Sequence, residues 1–191
     1  MEAAKLVFVA KGMAGARMQE IADKAGINKA LLHYYFRSKE KLFEAVFIEI
    51  LSKLIPDISE LLLSELPLFD KIRKFTKHYI DTIRENPLIP VFILHELNRE
   101  PEGIARTFKN MGIRPQTFID EINREIEKGT IIPIDPLHLI VNLLSMCIFP
   151  IVAQPIMQHL IFEENSEAYS AFLEQRKKEV PEFIINAIRK K

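Results

Sequence analysis

Residues 17–41 read RMQEIADKAGINKALLHYYFRSKEK, and two short helices joined by a glycine turn account for them. Apolar spacing predicts a helix over about 18–24, broken at Ala25-Gly26. Asn28 then supplies a side-chain acceptor for the start of another helix that runs to about Phe36. Gly26 stands where the turn requires a positive φ, a conformation that strains any residue with a Cβ. Ala22 lies where two helices must approach closely, and Ile21, Ile27 and Leu32 are spaced to close a small core with Phe8 of a preceding helix. The reading is a helix-turn-helix over about residues 17–36.

The pattern extends in both directions. Met1 to Lys11 reads as a first helix stopped by Gly12; with no cap or arm ahead of it, a few residues are expected to precede Met1. Ser38 caps a fourth helix, which carries Leu42, Phe43, Val46, Phe47, Ile50, Leu51 and Leu54 on one broad face and is expected to end at Pro56. Leu42, Phe43 and Val46 should pack on the first and third helices, and Ile50, Leu51 and Leu54 in a C-terminal core. This division gives domains of residues 1–46 and 47–191. Further helices are predicted over 67–84, closed by Asn86-Pro87; over 89–98; and over 114–128, closed by Gly129, with only a short turn after Pro101. Asp135-Pro136 opens a long apolar helix that Pro150 and Pro155 bend or break, and Ser166 caps a last helix with a kink at Pro181. No stretch alternates apolar and polar residues for long enough to read as a strand, so the fold class is all-α.

Composition bounds the function. The 191 residues are 48% apolar and 27% charged, with 26 basic and 26 acidic side chains, so total charge implies no polyanionic partner. Its distribution favours DNA modestly: residues 1–46 hold eight basic groups against five acidic ones. The single cysteine, Cys147, forms no internal disulfide, and the N-terminus has no signal-peptide order. The apolar run from Leu139 to Ala153 is shorter than the ~20 residues a bilayer span needs. No membrane association and a cytoplasmic setting are expected.

Once the small core is assigned, a polar, basic surface is left over. Lys29, His33 and Tyr34 project from the third helix, Lys39 and Lys41 from the start of the fourth, and Arg17 and Gln19 from the start of the second. Three helix N-termini near one basic surface suit phosphate, because their first backbone amides lack intrahelical partners. Tyr35 and Phe36 are read as core.

At these residues the sequence resembles the DNA-binding domain of the TetR/AcrR family of bacterial transcriptional regulators. The resemblance rests on KG at 11–12, QEIADKAGI at 19–27, NKALLHYYF at 28–36 and SKEKLFEAVF at 38–47. It implies an all-helical homodimer: an N-terminal three-helix DNA-binding domain on a larger domain that binds a small effector and dimerises through its last two helices. It implies DNA contacts by Arg17, Gln19, Asn28, Lys29, Ala30, Leu31, His33, Tyr34 and Lys39, with Lys29 and Ala30 at base edges or nearby phosphates and Lys39 clamping the backbone. Here Ala16, Arg17 and Met18 replace the Thr/Ser-rich start that the second helix usually has, and Leu31 stands where a Thr or Ser is common.

No pattern of reactive groups competes with this reading. There is no Gly-rich phosphate loop and no pair of cysteines, and His95-Glu96 is followed by Arg99 where a zinc protease has its second His. No enzyme activity, cofactor or metal is expected. Phe75, Phe92, Phe118 and Met146, with His78, His95 and Asn142 as polar groups, are the expected lining of a mostly apolar effector pocket. Leu137, Leu144, Phe149, Phe172, Phe183, Ile184 and Ile188 are the expected dimer interface. The function expected is a ligand-responsive regulator, a repressor that binds a pseudo-palindromic operator in double-stranded DNA. The alternative is an all-helical small-molecule-binding protein or enzyme whose N-terminal domain is only structural.

Overall fold

The computed structural model describes residues 1–86 and 88–190, with the side chains of Leu88, Val91, Phe92, His95 and Arg99 outside the described set. The described chain is helical, with one isolated bridge between Ile131 and Arg189. The helices are α1 (Glu2–Gly15), α2 (Met18–Ala25), α3 (Lys29–Phe36), α4 (Lys39–Leu51), α5 (Ile55–Leu63) and α6 (Leu68–Glu85). After these come α7 (Leu88–Arg99), α8 (Pro101–Asn110), α9 (Pro115–Glu127), α10 (Pro136–Val152), α11 (Gln154–Leu160) and α12 (Ser166–Ile188).

Several boundaries correct the sequence reading. Gly12 has the positive φ (64°) expected of a stop, but the chain resumes helical turns to Gly15, so α1 is kinked there. Pro56 does not end the fourth helix: α4 stops at Leu51, and Pro56 occupies the first turn of the separate helix α5, where its missing N–H costs no hydrogen bond. Pro101 likewise opens a helix of ten residues, where only a turn was expected. Asn165, one residue before Ser166, caps α12, accepting from the Ala168 amide at 2.9 Å. Pro150 lies inside α10, and the sharper break comes after Val152, with α11 bent away by 66°. No single described helix is long and apolar enough to cross a membrane.

Two apolar clusters organise the packing. The first joins Phe8, Ile21, Ala22, Leu32, Leu42, Phe43 and Val46 of α1–α4, with Phe8 edge-on to Phe43 at 4.9 Å. It continues through Phe47, Ile50, Leu51 and Ile55 to Ile89 of α7 and Ile104 of α8. Ile50 and Leu51 therefore belong with the N-terminal helices, and only Leu54 reaches the C-terminal core as expected. The second cluster gathers α6, α9, α10 and α12 around Ile72, Tyr79, Ile122, Leu143, Cys147, Leu173 and Ile185. Arg73–Glu182 (2.8 Å) and Arg84–Glu174 (2.6 Å) run along the α6–α12 seam, joined by a Lys177–Asp81 pair. Buried Lys71 ties α6 to Glu121 of α9 at 2.6 Å and to the Leu62 carbonyl at 3.1 Å.

Candidate nucleic-acid interface

The turn between α2 and α3 takes the geometry its residues dictate. Gly26 lies in the left-handed region (φ 68°, ψ 27°), and the Ile27 amide donates to the Ala22 carbonyl at 3.0 Å, closing α2 with the six-to-one bond of a Schellman end. Asn28 then accepts from the Leu31 amide at 2.7 Å and starts α3. Ala22 is fully buried, so α2 packs without a large side chain to hold it off. Ile21 and Leu32 point into the first cluster with Phe8, and Ile27 packs against its edge.

The rest of α3 faces outward. Lys29, Ala30 and His33 are exposed, Leu31 is 40% exposed, and the His33 ring lies with Nδ1 3.3 Å from the Arg37 carbonyl. Tyr34 is 72% exposed. Tyr35, expected in the core, is 68% exposed and packs its ring edge-on against Tyr34 at 5.5 Å. The helical register explains this correction: Leu32 and Phe36, four residues apart, take the inward face, leaving 33–35 outside. Tyr35 is thus a candidate contact that sequence reasoning missed, although its three-residue offset from the buried Leu32 on so short a helix left the face ambiguous.

The neighbouring helix starts lie on the same unit. Arg17 is the exposed, extended N-cap of α2, and its side chain makes no cap bond to the first amides of that helix. Gln19 is exposed and donates to Asp23 Oδ1 at 2.7 Å, one turn on. Ser38 caps α4 through the Lys41 amide at 3.3 Å. The exposed Glu40 carboxyl is held below its usual range by its own backbone amide first, then by the Ser38 hydroxyl and, less, by the Lys39 charge. Lys39 itself turns inward: its Nζ lies 3.2 Å from the Ala16 carbonyl and 3.4 Å from that of Ala14.

In the C-terminal part, the expected effector residues are only partly brought together. Phe75 and Phe118 are buried in the second cluster, and Met146 packs against it. His78 lies on α6 with Nε2 3.3 Å from Asp57 and 3.4 Å from the Thr82 hydroxyl. Asn142 is exposed, which removes it from an enclosed lining. The side chains of Phe92 and His95 lie outside the described residues. A separate cleft of about 340 Å³ opens between α4 and α8, lined by Phe43, Phe47, Ile104 and Arg106 among others. Among the described residues, no three His, Cys, Asp or Glu side chains are grouped to hold a metal ion.

The expected interface residues divide in two. Leu137, Leu144 and Phe149 of α10 and Phe183 of α12 are exposed apolar side chains, joined by Val141, and Phe172 is half-buried. Ile184 and Ile188 are buried within the protomer, since they lie on the inward stripe of α12 with Leu173 and Val180, and so are unavailable to a second chain.

Comparison with known proteins matches the N-terminal geometry. Residues 1–46 match the pattern of bacterial regulatory proteins of the tetR family. The chain is similar to the HTH-type transcriptional regulator RutR of Escherichia coli O157:H7, at 30% identity over 73% of this chain and 66% of that protein. It is also similar to the nucleoid occlusion factor SlmA of Mannheimia succiniciproducens, at 28% identity over 74% of this chain and 67% of that one. The chain thus spans just under two thirds of the length of the first of these relatives. Solved structures share the fold. The TetR family transcriptional regulator PfmR from Thermus thermophilus superposes with a TM-score of 0.60 at 24% identity, covering 93% of this chain and 92% of that one. The ketosteroid transcriptional regulator KstR2 of Mycobacterium tuberculosis does so with a TM-score of 0.69 at 18% identity, covering 100% and 93%. With their left-handed Gly26, Asn28 cap and outward α3, residues 1–46 carry the pattern of the tetR family of bacterial regulatory proteins.

Proposed function

We propose that the protein is a ligand-responsive transcriptional regulator: a homodimer that represses by binding a pseudo-palindromic operator and releases it when a mostly apolar small molecule binds. The observation that carries this reading is the outward face of α3. Lys29, Tyr34 and Tyr35 stand clear of the core beside the uncapped start of α2, an arrangement that offers charge to phosphates and aromatic edges to a major groove. Residues 1–46 serve as the reading unit and 47–191 as the unit for effector and dimer. Arg17, Gln19, Asn28, Lys29, Ala30, Leu31, His33 and Tyr34 are the contacts proposed, with Tyr35 added, and the work is binding, without catalysis, in the cytoplasm.

The dimer forms through the exposed apolar stripe of α10 (Leu137, Val141, Leu144, Phe149) with Phe183 of α12, two helices from each protomer. The effector enters between α6, α9 and α10, where Phe75, Phe118 and Met146 supply apolar surface. Because the first cluster runs from α4 to Ile89 and Ile104, a ligand that shifts α7 or α8 moves the recognition helix with them.

The experiment is duplex binding as a function of salt. Fragments selected from genomic DNA by the protein should bind with an affinity that falls steeply as salt rises, and Lys29→Ala should reduce the slope by about 1. Absence of salt-dependent binding to any selected duplex would return the chain to the alternative, a helical small-molecule-binding protein whose N-terminal helices only pack.

A further inference from the structure

The turn from α1 to α2 has no side-chain cap of its own. Its residues, Gly12 to Arg17, contain no Ser, Thr, Asp or Asn; the end of α1 is closed by the Ala16 amide on the Gly12 carbonyl, and Arg17, the N-cap of α2, makes no side-chain cap bond. Two side chains from elsewhere hold it. Lys11 pairs with Glu20 at 2.6 Å across the turn. Lys39, from the first position of α4, reaches back across more than twenty residues of sequence to the carbonyls of Ala16 (3.2 Å) and Ala14 (3.4 Å). Those carbonyls lie where α1 runs out, so they present the negative end of its last turn to an ammonium. Ala16 is itself buried in the first cluster, which fixes the direction of its carbonyl.

We propose that Lys39 is a positioning residue for DNA binding, acting through this turn: its ammonium holds the Ala14 and Ala16 carbonyls and so sets where Arg17 and the first amides of α2 stand relative to α3. The inference rests on the DNA-binding reading above and changes the part Lys39 plays in it. A lysine that contacts phosphate directly contributes its own charge to the salt dependence. A lysine that acts through the turn contributes through Arg17, so its effect disappears when Arg17 is gone. The absent cap and the inward lysine are complementary: where a Thr or Ser would fix the start of α2 through its amides, Lys39 fixes the preceding turn through its carbonyls and leaves those amides open.

The test combines amide hydrogen exchange with a double-mutant cycle, on the full chain and a duplex selected from genomic DNA. Lys39→Met keeps length and apolar bulk but removes the donors. It should speed exchange at the Ala16 and Ile21 amides, which donate to the Gly12 and Arg17 carbonyls, by about tenfold relative to the core of α6. It should weaken duplex binding by about tenfold in the parent and by less than twofold in an Arg17→Ala background, and Lys39→Arg should restore both exchange and affinity. Unchanged exchange at those amides, or equal losses of affinity with and without Arg17, overturns the proposal in favour of a direct phosphate contact. If the parent binds no duplex, the DNA-binding reading and the positioning role fall together. Faster exchange in Lys39→Met would then identify the lysine as a structural clasp only, which separates the two failures.

Discussion

The guanidinium of Arg176 donates from Nη2 to the backbone carbonyl of Met146 at 2.6 Å. In an uninterrupted helix that carbonyl would be bonded by the amide of residue 150, but residue 150 is proline and has no N–H. Two helical turns earlier on α12, Tyr169 donates its hydroxyl to the Pro150 carbonyl at 2.9 Å, so α12 completes the backbone bonding of α10. Arg176→Met should lower stability by about 1–3 kcal/mol, the cost of leaving a part-buried acceptor unpaired. In a Pro150→Ala background the new amide takes over the carbonyl, and the same substitution should cost less than half as much. Urea unfolding of the four proteins measures both numbers, and equal losses in the two backgrounds would refute the pairing.

Gly26 gives a second prediction. A Cβ built there meets nothing within 4 Å, so Gly26→Ala adds no clash and tests the φ of 68° alone. The expected loss is about 1–2 kcal/mol, a fall in melting temperature of roughly 2–8 °C for a chain of this size. Gly26→Asn should lose less, since asparagine tolerates the left-handed region. A neutral Gly26→Ala in thermal unfolding would show that the turn relaxes.

These two cases mark how far the sequence could be read. The helix-turn-helix was legible because its key residues each act locally. Gly26 supplies its φ, Asn28 and Ser38 their caps, and Ala22 its close approach. Helices α5 and α8 were not, because Pro56 and Pro101 serve as starts as readily as stops, and only the chain on either side decides which. The side chains of α12 failed for another reason. Phe183, Ile184 and Ile188 are all apolar, and periodicity alone did not say that Phe183 faces out while its neighbours face in, since the kink expected at Pro181 left the register beyond it open, whereas α12 runs through Pro181 unbroken. Tyr35 shares this ambiguity.

The outward and inward members of that set should separate experimentally. Phe149 and Phe183 are 65% and 64% exposed, whereas Ile184 is 4% exposed. Phe149→Glu together with Phe183→Glu should leave the circular dichroism unchanged and shift the protein from dimer to monomer in sedimentation at micromolar concentration. Ile184→Ala should instead cost about 2–5 kcal/mol of protomer stability by opening a cavity. A doubly substituted protein that stayed dimeric would move the interface elsewhere.

Tyr34→Ala and Tyr35→Ala should each change stability by less than about 0.5 kcal/mol, as surface positions do, while weakening a selected duplex by several-fold. Fluorescence anisotropy with labelled DNA reads this directly. Wild-type affinity in both variants would take the aromatic pair out of the interface.

Cys147 supplies the pH prediction. Burial pushes its thiol up to about 12, against smaller opposing effects of the Thr76 hydroxyl and the Arg176 charge. The folded state therefore keeps a proton that the unfolded state, with an ordinary value of 9.0, gives up first. Its contribution is intact below pH 9 and is lost as pH rises from there toward 12. Subtracting the pH dependence of Cys147→Ala from that of the parent should leave a falling difference over this range, and a flat one would show that the thiol reaches solvent. Consistently, a thiol reagent at neutral pH should label Cys147 only as fast as the second cluster opens.

The passage of the first apolar cluster from α4 into α7 and α8 bears on how such a protein can be reassembled. A chimera cut at residue 46 would strip Phe47, Ile50 and Leu51 from beneath the reading helices and leave Ile89 and Ile104 facing foreign side chains. New operator preference is therefore easier to obtain by resurfacing α3 in place than by transplanting the head, because the outer face of α3 touches none of that shared packing, whereas the joint has to be inherited whole.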